Sequence, residues 1–66
     1  MKSTRVAIVI MSHLSDAQYL MKAGMIQEAN THINFAKLCV NKFDDMNDEV
    51  EYSTLDEIWE TAKTFR

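Results

Sequence analysis

The sequence predicts an all-α fold: an antiparallel helical hairpin with a third, amphipathic helix packed across it. The 66 residues contain no proline and one glycine, so few residues interrupt a helix. Apolar residues recur at intervals of three and four on both sides of that glycine and again near the C-terminus. The length suits a single small domain, residues 1–66, with an acidic connector at 44–53.

The first helix is predicted over about residues 4–22. One face of it carries Ala7, Ile10, Leu14, Ala17 and Met21. Residues 6–11 are all apolar and four of them are β-branched, so periodicity alone does not distinguish helix from strand there. If they formed a strand, Ser12 or Ser15 would cap a shorter helix. We favour the helix because no second strand is evident, and an unpaired strand is unstable.

The second helix is predicted over about residues 25–43, and its apolar face is wide. One stripe consists of Ile26, Ala29, Ile33, Ala36, Val40 and Phe43. Beside it lie Met25, His32, Phe35 and Cys39, with Leu38 as an apolar exception on the polar side. A face of this width exceeds what one neighbouring helix covers, so we expect the second helix to pack against two partners at once.

The third helix is predicted over about residues 54–65. Thr54 fits the N-cap position, and Glu57 stands three residues later, as in a capping box. The apolar face consists of Leu55, Ile58, Trp59, Ala62 and Phe65. Trp59 has the largest apolar surface, and we expect it to anchor this helix.

The turn between the first two helices is expected at Gly24, because glycine adopts positive φ at no steric cost. From Ala17 to Ala36 the hairpin resembles a tetratricopeptide unit, with a small residue, a turn glycine, the pair Glu28–Ala29, then Ile33 and Ala36. The sequence departs from that family at His13, Asp16 and Leu20, and it has no following proline and no second repeat. The resemblance implies protein binding without catalysis.

Charge is distributed unevenly, at +3 over residues 1–43 and −6 over residues 44–66. The acidic tail is either solvated, held against its own hairpin, or available to a basic partner. The overall charge of −3 disfavours nucleic-acid binding. A lone cysteine predicts a reducing cytoplasm. The apolar run 6–11 is too short to span a bilayer and lacks a cleavage site, so we expect neither membrane insertion nor a signal peptide.

The acidic connector offers a candidate calcium site, because it lies between two predicted helices as an EF-hand loop does. Counting from Asp45, the ligand positions are occupied by Asp45, Asn47, Glu49, Glu51 and Asp56. Val50 stands where that loop requires glycine, and Asp56 is shorter than the usual bidentate glutamate. The alternative is a solvated connector that leads into the Thr54 cap.

His32 falls in the middle of the wide apolar face of the second helix. It is either a partly buried, hydrogen-bonded imidazole, a metal ligand, or a pH switch at a subunit contact. Cys39 lies about 10 Å further along the helix, so the two side chains are too far apart to share one zinc ion or to form a catalytic dyad. No other nucleophile has a base in reach and no phosphate loop is present, so we expect no catalysis and no cofactor.

The wide face is the best functional lead. Met21, Met25, His32, Phe35, Leu38 and Cys39 are the candidate interface residues. Methionine and aromatic side chains suit adaptable contacts between helices. We therefore expect a non-catalytic protein-interaction domain, an adaptor or regulator (for example an inhibitor) of a larger protein, that acts as a homo-oligomer. The alternative is a small-ligand or metal-binding module that uses the loop 45–56 or an inter-subunit pocket near His32 and Tyr19.

Overall fold

The computed structural model describes residues 2–64. The elements in chain order are strand β1 (Ser3–Arg5), helix α1 (Val6–Lys22), helix α2 (Ile26–Lys42), strand β2 (Glu49–Glu51) and helix α3 (Tyr52–Thr64). Helices α1 and α2 pack as a hairpin, and α3 packs against α2, which confirms the predicted fold class. Phe65, predicted in the apolar face of the third helix, lies outside the described residues.

A two-stranded antiparallel sheet, which the sequence did not predict, joins the N-terminus to the connector. Thr4 stands opposite Val50 in this sheet, and Val50 is buried while its two neighbours are exposed. Because residues 3–5 are a strand, α1 begins at Val6, two residues later than predicted. The view that the sequence offers no second strand was therefore wrong, although residues 6–11 themselves are helical, as favoured.

The N-terminus of α1 is capped by the connector. Arg5 occupies the N-cap position and makes no side-chain hydrogen bond to the helix. Instead, the backbone N–H of Val6 donates to the carbonyl of Asp48 at 3.0 Å, and that of Ala7 donates to Met46 at 2.9 Å. Two of the donors that a helix start leaves unpaired are thus satisfied by distant backbone.

The hairpin turn is a Schellman motif with Gly24 in the left-handed conformation, at φ 82°. The N–H of Gly24 donates to the carbonyl of Met21 at 3.0 Å, and that of Met25 donates to Leu20 at 2.9 Å. The prediction for this turn is confirmed. Three buried alanines allow the helices to approach closely, as expected: Ala17, Ala29 and Ala36.

Helix α3 begins at Tyr52, so Thr54 lies inside its first turn and the predicted capping box does not start it. The core lies between α3, α2, β2 and the first turns of α1, and consists of Val6, Val9, Ile10, Phe35, Ala36, Cys39, Val50, Leu55, Ile58 and Ala62. Trp59 packs against this core, as expected of the anchor. Within residues 2–64, no helix combines the length and the hydrophobicity needed to cross a membrane.

Candidate functional site

Two of the predicted interface residues belong to the core instead. Phe35 is 2% exposed and Cys39 is fully buried, because α3 and β2 cover this side of α2. Leu38 is partly buried against the same core. Met21 and Met25 remain 46% and 43% exposed beside the hairpin turn. Helix α2 therefore packs against two elements of the same chain, α1 and α3, as its wide face predicts, and the interface prediction was wrong for Phe35 and Cys39.

A different apolar surface remains uncovered along the hairpin. In α1, Ile10 and Ala17 are buried, while Leu14 and Met21 are each 46% exposed. In α2, the buried Ala29 and Ala36 alternate with three outward residues that are spaced seven apart. Of these, Ile26 and Val40 are about half exposed and Ile33 is half-buried. Residues seven apart occupy one side of a helix. We call this surface the hairpin stripe, which consists of Leu14, Met21, Ile26, Ile33 and Val40.

The middle of the hairpin stripe forms a shallow groove of about 340 Å³ between α1 and α2. It is lined by Ile10, Leu14, Ile33, Ala36, Lys37, Val40 and Asn41. No residue of α3 contributes to this lining, since α3 packs on the other side of α2. Lys37 is its one charged residue.

On the opposite side of the hairpin the two histidines of the chain meet. Nδ1 of His13 lies 2.7 Å from Nδ1 of His32, and both rings are partly buried. The ring of Trp59 covers them at centroid distances of 5.4 Å and 4.9 Å, and Phe35 contacts His13 at 4.3 Å. His32 is thus a partly buried, hydrogen-bonded imidazole, one of the interpretations that the sequence left open.

The pairing of His13 with His32 was not predicted, since from the sequence His13 could join His32 only through a chance of helix packing. One signal was available: Val9, His13 and Ala17 continue at intervals of four, so His13 lies on the buried side of α1.

A proton must be shared unequally between the two histidines. At 2.7 Å one Nδ1 donates its hydrogen and the other accepts it, so the accepting nitrogen carries no proton. Burial lowers the pKa of His13, and the neighbouring His32 lowers it further, while the Asp16 carboxylate opposes this change. His13 is therefore biased towards its neutral form.

Asp16 completes a cluster of three groups. It stands three residues after His13, on the same side of α1, and its carboxylate is exposed. One ligand atom from each of His13, Asp16 and His32 lies within 4.8 Å of the other two. The cluster thus combines two imidazoles and a carboxylate from two helices.

A cleft of about 400 Å³ leads from the surface to His13. Its lining includes Ile8, Ser12, His13, Tyr52 and Trp59. Ile8 and Tyr52 are about half exposed at its rim. Solvent and small ions thus have a path to the His13 ring.

The acidic connector does not form the predicted calcium loop. Residues 49–51 are an extended strand, in which the exposed Glu49 accepts a hydrogen bond from the Ser3 hydroxyl at 2.8 Å. Asp45 instead accepts a hydrogen bond from the backbone N–H of Asn47, at 2.9 Å, in a local turn. Asp56 lies in α3 and Glu51 at the end of β2, so the loop geometry of an EF-hand is absent and that prediction was wrong.

The charge asymmetry is not used for internal pairing in the part of the chain that the structure describes. The one ion pair there joins Lys63 to Glu60 at 3.3 Å, within α3. Both side chains are at least half exposed, and such pairs contribute little to stability. Among the described residues, the acidic tail is therefore solvated rather than paired with the basic hairpin.

Comparison with known proteins adds no identification: no family model, curated protein or solved structure matches this chain. The likeness of residues 17–36 to a tetratricopeptide unit accordingly remains a likeness of local pattern.

Proposed function

We propose that this chain is a non-catalytic protein-interaction module, an adaptor or regulator of a larger protein, and that its copies associate through the hairpin stripe. The observation that carries the proposal is the alternation along each helix. Along α1 and α2, apolar residues buried inside the hairpin alternate with apolar residues that face solvent. The residues that remain about half exposed on this face are Leu14, Met21, Ile26 and Val40.

A second copy of the same chain fits this face. Two hairpins placed face to face form a four-helix bundle, in which the seven-residue spacing of the stripe supplies interlocking side chains. A twofold dimer requires a surface that complements itself. Here Leu14 and Val40 project beside the recessed Ala36, so projections and recesses lie on the same surface.

Size and composition also favour self-association. A stable interface takes roughly 600–1,000 Å² from each partner, which is about an eighth to a fifth of the 4858 Å² surface of this chain. Interface centres are poor in charged residues, and Lys37 alone is charged in the groove lining. A 66-residue domain without a disulfide gains from a partner, because its own core is small.

The buried free thiol leads us to place this function in the cytoplasm. Cys39 remains a free thiol in the core, a state that a reducing compartment preserves. A core thiol is out of reach of substrates, which supports a binding role rather than nucleophilic catalysis.

The solution mass tests the proposal. Light scattering coupled to size exclusion should give about twice the 7.6 kDa of one chain, or a higher multiple. Leu14→Lys and Val40→Lys should each give the mass of a single chain, because association would bury the charged lysine side chain away from water.

Tyr19→Lys is the matched control. Tyr19 is 73% exposed on the same helix, about 140° around it from Leu14. This variant should keep the oligomeric mass. A wild-type mass of one chain at every concentration, or an oligomer that survives both stripe substitutions, would contradict the proposal.

A further inference from the structure

We propose that His13, Asp16 and His32 form a binding site for one first-row divalent transition metal ion, with Zn²⁺ as the probe. This site goes beyond the proposed interface and lies on the other side of the hairpin. Its basis is geometric: two imidazole nitrogens and a carboxylate oxygen converge from two helices within 4.8 Å of one another.

The spacing is close to what such an ion requires. Zn–N bonds of about 2.0–2.1 Å in a tetrahedron separate two ligand nitrogens by about 3.3 Å. The two Nδ1 atoms lie 2.7 Å apart when they share a proton. Small rotations of the two rings would therefore replace the shared proton by an ion. The flexible side chain of Asp16, exposed on α1, completes a three-ligand set.

The surroundings hold the rings in place for binding. The rings of Trp59 and Phe35 pack against the histidines, with centroid distances between 4.3 Å and 5.4 Å. Groups that fix the orientation of metal-ligating rings raise affinity, because less freedom is lost on binding. The cleft beside His13 and the exposed position of Asp16 open the cluster to solvent.

The donor set selects the class of ion. Two imidazoles and one carboxylate suit zinc and its first-row neighbours, whereas Mg²⁺ and Ca²⁺ prefer oxygen donors throughout. Three protein ligands leave a fourth position for water or for a group from a partner.

Protons balance in the binding step. Before binding, the donating ring carries its hydrogen on Nδ1 and the accepting ring has a bare Nδ1. Binding through both Nδ1 atoms requires that the donating ring lose the Nδ1 proton. At neutral pH that ring regains a proton from water at Nε2, so both rings end as Nε2–H tautomers with no net release.

The experiment is a titration of the full chain with Zn²⁺ by calorimetry and with Co²⁺ by absorption and fluorescence. Trp59 is the only tryptophan and lies against both rings, so Co²⁺ should quench its emission in proportion to occupancy. We expect one ion per chain and the visible absorption bands of tetrahedral Co²⁺. Nitrogen NMR should show both rings as Nε2–H tautomers once Zn²⁺ is bound.

Three variants test the ligands one at a time. His13→Gln and His32→Gln should each abolish saturable binding. Asp16→Asn, at an exposed position that folding tolerates, should weaken binding by more than about tenfold. Glu57→Gln is the matched control for the loss of an exposed helical carboxylate, because Glu57 lies outside the cleft beside His13, and this variant should bind as the wild type does. Leu14→Lys should also bind normally, which separates this site from the hairpin stripe.

Several results would overturn the proposal. They are no uptake of Zn²⁺ or Co²⁺ by the wild type, binding that survives both histidine substitutions, Asp16→Asn with unchanged affinity, or Mg²⁺ binding as tightly as Zn²⁺. The chain contains only two histidines, so imidazole-dependent binding has no other source within it.

Discussion

Thr4 stands directly opposite Val50 in the two-stranded sheet, so the fourth residue of the chain is tied to a core residue 46 positions later. Val50 is the buried residue of β2, and Glu49 and Glu51 on either side of it are exposed. The side chain of Val50, together with that of Met46, links the connector to the core under α3.

Val50→Ala should lower the free energy of unfolding by about 1.5–3 kcal/mol, because it removes two buried carbon groups and leaves a cavity. Urea denaturation followed by circular dichroism measures the change. Glu51→Ala, one residue away and exposed, should cost less than about 0.5 kcal/mol. Equal effects of the two substitutions would show that Val50 is not part of the core.

Gly24→Ala should destabilise the chain by about 1–2 kcal/mol, because alanine is strained at positive φ. The space around Gly24 is open, with no atom within 4 Å of an added Cβ, so the cost comes from the backbone alone. Gly24→Asn should cost less, since asparagine tolerates the left-handed region. Thermal melts of the three proteins rank them, and a Gly24→Ala protein as stable as the wild type would contradict the Schellman geometry.

Cys39 should be unreactive in the folded protein. Burial raises the pKa of its thiol, so little reactive thiolate forms. The side chain is also not exposed, so a reagent does not reach the sulfur atom. Reaction with an aromatic disulfide reagent at mildly alkaline pH should be roughly a hundredfold or more slower than in concentrated guanidinium chloride. Rapid labelling of the native chain would place Cys39 outside the core.

His13 should make the metal-free protein less stable as the pH falls. Its pKa in the folded state is below the usual 6.5, owing first to burial and then to His32, with Asp16 opposing. Below about pH 6.5 the unfolded chain therefore binds more protons than the folded chain, and the free energy of unfolding decreases until the folded-state pKa is passed. Above about pH 6.5 the contribution of His13 to the free energy of unfolding is fully present.

The dependence of stability on pH is measured from urea midpoints at several pH values between about 7.5 and about 5.5, with a chelator present. In this range the carboxylates have not yet titrated. His13→Gln should flatten the slope, because the titrating group is gone. A wild-type midpoint that rises as the pH falls through this range would contradict the direction assigned to His13.

The hairpin was predictable because its signals are local. Intervals of three and four mark the helices, Gly24 marks the turn, and the small alanines mark the contact between helices. The sheet escaped prediction because each strand has three residues, and only Val50 of β2 is both apolar and buried. Strand pairing across more than 40 residues leaves no periodic signal in so short a segment.

The candidate sites were harder to predict, for a different reason. A helical wheel gives the width of an apolar face but not which neighbour covers each part of it. Phe35 and Cys39 lie under α3, while Ile26 and Val40 on the same helix do not. The meeting of His13 and His32 depends on the relative register of two helices, which the Gly24 turn sets and which the sequence pattern does not reveal.

The capping of α1 by the carbonyls of Asp48 and Met46 bears on how the chain folds during synthesis. A ribosome-bound fragment that ends at residue 43 holds both hairpin helices but lacks these acceptors, so its first turn frays. Helix α1 is thus completed by a segment that is translated after both hairpin helices, and this order couples the hairpin to the connector in one cooperative transition.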